Sequence, residues 1–181
     1  MKKSLISAMV AAALGLVASA AFASDGTITF NGALTATTCT INGNGTSSKD
    51  FTVTLPTVST STLTASGQTA GTTSYNIALT GCAPVTATSE AGVFYEAGAT
   101  VDANDGRLIV APGGAGNVKL QLLNSDGSMI KAGYSRELQN VKSADISSGA
   151  ASLSYQVQYY ATGATTAGAA NSSVIYSIDY M

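Results

Sequence analysis

The chain has no histidine and no tryptophan among its 181 residues, and it has only two cysteines. Serine and cysteine nucleophiles usually need a neighbouring histidine as general base, and protein zinc sites are built mainly from histidine and free cysteine. The composition therefore argues against the common hydrolases and against a zinc centre. We expect no enzyme activity, no catalytic residues, no metal site and no cofactor.

Charge is also scarce, since Asp, Glu, Lys and Arg together make up 10% of the chain. Two of the eight basic residues, Lys2 and Lys3, lie in the first three positions, and without them six basic and ten acidic residues give a net charge near −4. No basic patch is visible in the sequence. We therefore expect neither nucleic acid nor an anionic membrane surface as a partner.

The N-terminus has the pattern of a secretory signal. Lys2 and Lys3 precede an apolar run, and the run ends in the small-residue motif Ala21-Phe22-Ala23. A positive start, a short apolar core and such a motif predict a signal peptide over residues 1–23, cleaved after Ala23. Cleavage after Ala20 is the alternative, and a membrane anchor over the same run is a less favoured one.

The remaining 158 or so residues have the size of one domain. In an exported chain, a pair of cysteines indicates a disulfide, here between Cys39 and Cys82. Two buried free thiols are the alternative. Export also implies that the protein folds outside the cytosol.

Short runs with alternating apolar and polar residues recur along the chain and predict strands. Turn clusters rich in Gly, Asn, Asp and Pro separate them, which is typical of a β-sandwich. Short helical turns are expected only within 58–68 and 135–141. The predicted strands are 27–30, 51–55, 75–79, 93–95, 107–110, 118–122, 153–159 and a terminal strand over 173–180.

Asp102 and Asp105 flank Asn104 and precede Gly106 in one turn-like segment. Paired carboxylates of this kind can bind calcium or act in glycoside hydrolysis. A solvated turn is the simpler interpretation, and we adopt it.

Several motifs together resemble a known family. They occur in one order along the chain, from just after the signal to the C-terminus: residues 25–32 (DGTITFNG), Thr38-Cys39, Leu55-Pro56, 67–71 (GQTAG), 79–82 (LTGC), 118–122 (VKLQL), 155–160 (YQVQYY), Gly168 at fourteenth from the end and Tyr180 at the penultimate position. Each motif is weak alone, but the set covers the whole chain after the signal. The sequence resembles the major fimbrial subunits of Gram-negative chaperone–usher pili, of the type 1-like kind.

The resemblance implies an all-β fold, an incomplete immunoglobulin-like β-sandwich that lacks its last strand and is completed by a donated strand. The gap would leave an apolar groove beside the C-terminal strand, at Val174, Tyr176, Ile178 and Tyr180. A periplasmic chaperone would fill it first, and the N-terminal extension of an identical subunit would replace the chaperone at an outer-membrane usher. Gly168 is carried over as the family glycine. The expected location is a fimbrium on the bacterial cell surface, reached through the periplasm.

The donor extension is placed at residues 24–31 and the pilin domain at residues 32–181. Gly26, Ile28 and Phe30 share one face of an extended segment, so Ile28 and Phe30 could fill apolar pockets, while Gly26 allows close backbone approach. The alternative is that Ile28 and Phe30 belong to the subunit's own first strand. The rival functions are a minor or adaptor pilin at the tip and a monomeric secreted binding module with a sandwich fold.

Overall fold

The computed structural model describes residues 28–32 and 34–181. The predicted signal peptide and Gly26 lie outside these residues. Within the described part, no helix is long and apolar enough to cross a bilayer. The chain divides into two units between Leu34 and Thr35.

In the first unit, the described residues 28–32 and 34 have no regular secondary structure. Ile28 and Phe30 expose 79% and 88% of their surface. The strand predicted over 27–30 is therefore not formed in this chain by itself, because residues 28–30 have no strand partner among the described residues.

The second unit is built from nine antiparallel strands and one short helix, α1, with a single 3₁₀ turn at Thr60–Thr62. This confirms the all-β prediction and the positions of the two helical turns. The elements are β1 Thr38–Gly43, β2 Thr69–Ala83, β3 Glu90–Tyr95, β4 Leu108–Ile109, β5 Val118–Asn124, β6 Met129–Ile130, α1 Arg136–Gln139, β7 Ala144–Asp145, β8 Ala151–Ala161 and β9 Tyr176–Tyr180.

The strands form two sheets. The larger has the order β1-β2-β8-β5-β4, with β6 paired to β5, and the smaller has the order β7-β3-β9. Side chains alternate between the two faces of each strand. In β2, Tyr75, Ile77 and Leu79 are therefore buried, whereas Thr72 and Ser74, which point to the other face, are exposed. The two inner faces pack into one hydrophobic core, as in a β-sandwich.

A buried hydrogen bond joins the two sheets through this core. The hydroxyls of Tyr75 in the larger sheet and Tyr95 in the smaller lie 2.7 Å apart, and the Tyr155 ring packs edge-on against Tyr95. Burial raises the pKa of Tyr75 and of Tyr95 well above the ordinary value for tyrosine. Both hydroxyls therefore stay neutral, and each has a partner, so their burial carries little penalty.

Candidate functional site

The C-terminal strand has a free edge. One edge of β9 pairs with β3, with Val93 opposite Ile178 and Tyr95 opposite Tyr176. No described strand pairs with its other edge. An unpaired strand edge presents backbone N–H and C=O groups that can add another strand.

The structure shortens the predicted terminal strand at its start. Pairing in β9 begins at Tyr176, whereas the sequence predicts a strand from Ser173. The Ile175 carbonyl still accepts from the Glu96 N–H just after β3, at 2.9 Å. Earlier residues are held elsewhere: Ala111 N–H donates to the Asn171 carbonyl at 2.8 Å, and the Thr100 hydroxyl donates to the Ser173 carbonyl at 2.6 Å. The alternation of faces nevertheless continues, because Val174 is half-buried and Ile175 is exposed.

Across from β9 lies a segment that the sequence assigns wrongly to a strand. Residues 51–55 alternate as predicted, with Phe51, Val53 and Leu55 packed against the core and Thr52 and Thr54 exposed. They have no strand assignment, however, since no ladder partner lies beside them among the described residues. The segment has the side-chain pattern of a strand without its backbone pairing.

An open apolar groove of about 620 Å³ runs between these two segments. One rim is formed by residues 49–55 and the other by residues 172–176. We call them the N-terminal rim and the C-terminal rim. The floor consists of core side chains from both sheets, among them Ile77, Tyr95, Leu120, Leu122 and Val157.

The structure places the predicted groove residues in two positions. Val174 and Tyr176 line the groove itself. Ile178 and Tyr180 pack half-buried against the same core further along β9 but do not line it. The sequence did not identify Phe51, Val53 and Leu55 as groove residues, although their alternation with threonine was visible as a signal.

Two tyrosine hydroxyls reach from β9 to the opposite part of the chain. The Tyr176 hydroxyl donates to the Lys49 carbonyl at 2.6 Å, and the Tyr180 hydroxyl accepts from the Cys39 N–H at 3.1 Å. The Phe51 and Tyr176 rings also pack edge-on, with centroids 6.2 Å apart. Partial burial, together with the nearby Asp50 carboxylate, raises the pKa of Tyr176, so this hydroxyl keeps its proton at neutral pH.

A second cavity of about 440 Å³ lies between the continuations of the same two segments. Residues 57–60 and Leu63 line one side, and residues 165–170 line the other. Gly168 belongs to this second side. A Cβ on Gly168 would lie 2.6 Å from the Ala115 backbone nitrogen, so glycine is required there by close backbone approach.

Sequence comparison decides the family. The family model for type-1 fimbrial protein, A, matches residues 55–181. The chain is 42% identical to the F17 fimbrial protein of Escherichia coli over 175 residues, covering 92% of this chain and 96% of that protein. This chain belongs to the type-1 fimbrial protein family.

Two further comparisons agree with this assignment. This fimbrial protein is 44% identical to the major fimbrial subunit SMF-1 of Stenotrophomonas maltophilia over 167 residues, covering 89% of this chain and 95% of that one. Its fold is similar to that of the P pilus rod subunit PapA, with a TM-score of 0.61 over 79% of this chain and 99% of the other, at 17% identity. At that identity the structural likeness supports the immunoglobulin-like fold alone.

The disulfide of this fimbrial protein joins the two cysteines predicted to pair. Cys39 in β1 is bonded to Cys82 near the end of β2, and β1 and β2 are antiparallel neighbours. The bond closes a loop with a sequence separation of 43. A crosslink of that span stabilises the fold by about 4 kcal/mol in the chain-entropy model.

The acidic pair of the fimbrial protein is part of an ion-pair cluster. Lys119 Nζ lies 2.6 Å from Asp102 and 2.8 Å from Asp105, and Arg107 also contacts Asp105, at 3.1 Å. The ammonium group occupies the position that a cation would take between the carboxylates. No group of three or more potential metal ligands occurs within the described residues.

Proposed function

We propose that this chain is a structural subunit of a bacterial surface fimbria and that residues 24–31 of one copy dock in the groove of the next. Membership of the type-1 fimbrial family supports the role as a fimbrial subunit. The observation that carries the docking proposal is the apolar groove, which is bordered by the unpaired N-terminal rim and by the C-terminal rim, and the C-terminal rim continues at Tyr176 into the free edge of β9.

An added strand would satisfy both sides of this groove. Its backbone could pair with the free edge of β9, and its inward side chains would cover the apolar floor. The same strand could supply the ladder that Phe51, Val53 and Leu55 lack. The side-chain alternation of the N-terminal rim is what a strand with one buried face requires.

Residues 24–31 have the pattern that such a groove would accept. Ile28 and Phe30 lie on one face, and both are largely exposed in this chain by itself. Burying one such side chain is worth about 1.5–3 kcal/mol, so their exposure favours a partner. Gly26, which lies outside the described residues, falls on the same face of an extended segment and would let the backbone approach closely.

We infer that identical subunits are the main partners. A periplasmic chaperone would occupy the groove before assembly, and an outer-membrane usher would be the place where the next subunit's extension replaces it. The signal peptide at 1–23 would direct export to the periplasm, and the fimbrium on the cell surface would be the final location. The fimbrial relatives do not favour a monomeric binding module, and they offer no reason to expect an enzyme.

The docking proposal is tested by Ile28→Asp, with Thr29→Asp as a matched control on the opposite face. In the docked strand, Ile28→Asp would place an unpaired carboxylate on the apolar floor, which costs several kcal/mol. We expect soluble, disulfide-bonded subunit in the periplasm but at least a tenfold loss of surface polymer. Thr29→Asp should leave polymer within about twofold of wild type.

Deletion of residues 24–31 separates the two interpretations of this segment. If the segment serves the neighbouring subunit, the deleted protein still folds and protects its disulfide, but it forms no polymer. If deletion unfolds the subunit, the segment is the subunit's own first strand. Normal polymer from the deleted protein would exclude docking by these residues.

A further inference from the structure

The hydroxyls of Tyr176 and Tyr180 in β9 form hydrogen bonds with backbone groups of two segments from the start of the domain. The Tyr176 hydroxyl donates to the Lys49 carbonyl of the N-terminal rim at 2.6 Å. The Tyr180 hydroxyl accepts from the Cys39 N–H of β1 at 3.1 Å. Both hydrogen bonds run from a tyrosine side chain to main-chain atoms far away in sequence.

The two tyrosines lie at the two ends of β9, so their hydrogen bonds fix both ends of the strand. Tyr176 is the first residue of β9 and Tyr180 is the last. They lie four residues apart, so both side chains leave the same face of the strand. Tyr176 ties the start of β9 to the N-terminal rim, and Tyr180 ties its end to β1.

The bonded backbone groups are of the kind that an added strand would use. Strand addition joins main-chain N–H and C=O groups along the edges that it fills. The Cys39 N–H is partly buried, where a backbone group without a partner is costly, whereas the Lys49 carbonyl is exposed. A tyrosine hydroxyl can donate or accept, so it can substitute for either type of missing ladder partner.

We propose that Tyr176 and Tyr180 act as temporary ladder partners, which tie β9 to the N-terminal rim and to β1 in the isolated subunit and release both segments when a strand docks. This inference rests on the proposed docking of residues 24–31. Each hydrogen bond stabilises the undocked arrangement and so slows the entry of a strand beside β9. Once the strand is seated, it supplies the hydrogen bonds and the hydroxyls no longer contribute to holding it.

The test measures the uptake of a synthetic peptide of residues 24–37 by the full mature chain. That chain carries Ile28→Asp, so that its own extension does not compete. Tyr176→Phe and Tyr180→Phe keep the aromatic rings and remove only the hydroxyls. Tyr134→Phe is the matched control, because its hydroxyl also donates to a backbone carbonyl, that of Asn104 at 2.8 Å, and Tyr134 lies outside β9.

We expect each β9 variant to raise the association rate by about threefold to fivefold, the size of one hydrogen bond's net contribution. The double variant should gain about tenfold. Dissociation of the seated peptide should stay within about twofold of wild type, since the hydroxyls act before docking. Tyr134→Phe should change neither rate.

Three results would overturn the inference. Unchanged association in both β9 variants would mean that the two hydroxyls do not restrain β9. Faster dissociation alongside faster association would indicate general loosening of β9 instead. Slower association would mean that the tyrosines help to form the site. A chain with the original tyrosines that binds no peptide would refute the docking proposal itself, which is a separate outcome.

Discussion

At the scale of single residues, the structure explains why position 168 is a glycine. The sequence singles out this glycine only by resemblance. In the structure it passes so close to the 113–116 turn that an added Cβ would lie 2.8 Å from the Gly114 carbonyl carbon and 2.6 Å from the Ala115 nitrogen. Both neighbours are backbone atoms, so they cannot rotate away as a flexible side chain would.

Gly168→Ala should therefore destabilise the subunit, by about 1–3 kcal/mol, as expected for overpacking. Gly98→Ala is the matched control, because nothing lies within 4 Å of a Cβ at Gly98 and its φ is not in the left-handed region. The measurement is urea unfolding of the two purified variants. Equal midpoints for the two variants would contradict the close approach.

At the scale of elements, the edge formed by β4 and β5 is held by charge. Lys119 of β5 contacts Asp102 and Asp105, in the loop just before β4. The hydrogen bond from the Lys119 ammonium lowers the pKa of Asp102 from 3.8 to about 2. Burial would raise the pKa of Asp105, but its hydrogen bonds with Lys119 and Arg107 outweigh burial and lower it.

This lowering has a definite sign for stability. A carboxyl whose pKa is lower in the folded protein contributes stability above its unfolded pKa and loses that contribution as the pH falls through its folded pKa. For Asp102 the loss should occur between about pH 4 and pH 2. Lys119→Met should flatten this part of the stability curve, measured by urea unfolding between pH 5 and pH 2.

Lys131→Met serves as the comparison, because no salt bridge from Lys131 occurs within the described residues, and its ammonium lies instead over the Tyr134 ring. The Lys131→Met variant should keep the wild-type dependence of the free energy of unfolding on pH between pH 5 and pH 2. A Lys119→Met variant with that same slope would show that the cluster does not couple to folding.

Elements with a strong period of two were predictable from sequence. The run 153–159 lies within β8 and the run 118–122 within β5, and the two helical turns fall where expected. The prediction failed at residues 51–55, which have the right pattern but no ladder. Alternation reports which face of a segment is buried, whereas a strand also needs a neighbour, and the sequence of one segment does not contain its neighbour.

At the scale of the whole molecule, the groove depends on segments that lie far apart in sequence. Its two rims, at 49–55 and 172–176, are separated by most of the domain. The sequence predicted the β9 side from its terminal alternation and from the family resemblance. The N-terminal rim forms the other side of the groove only because the sandwich fold brings it opposite β9. This side of the candidate site therefore cannot be predicted from the local sequence pattern of residues 49–55 alone.

The disulfide acquires a mechanical consequence if subunits are joined through their extensions. Tension along a filament would enter each subunit at Thr38, where β1 begins. Among the strands that the structure describes, β1 pairs only with β2, so pulling from its end would break the ladder one bond at a time. The Cys39–Cys82 bond lies one residue further on and would pass the force directly to β2, which is paired on both edges.

Single-filament pulling would measure this effect. Subunits with the disulfide should yield at higher force than the double variant Cys39→Ser with Cys82→Ser. They should also lengthen less on unfolding, because the chain between the two cysteines, a separation of 43 residues, cannot be drawn out. Equal yield forces would mean that the filament fails first at the docked strand. If the disulfide raises the yield force, the Cys39–Cys82 bond beside Thr38 is what keeps residues 39–82 of each subunit from extending under load.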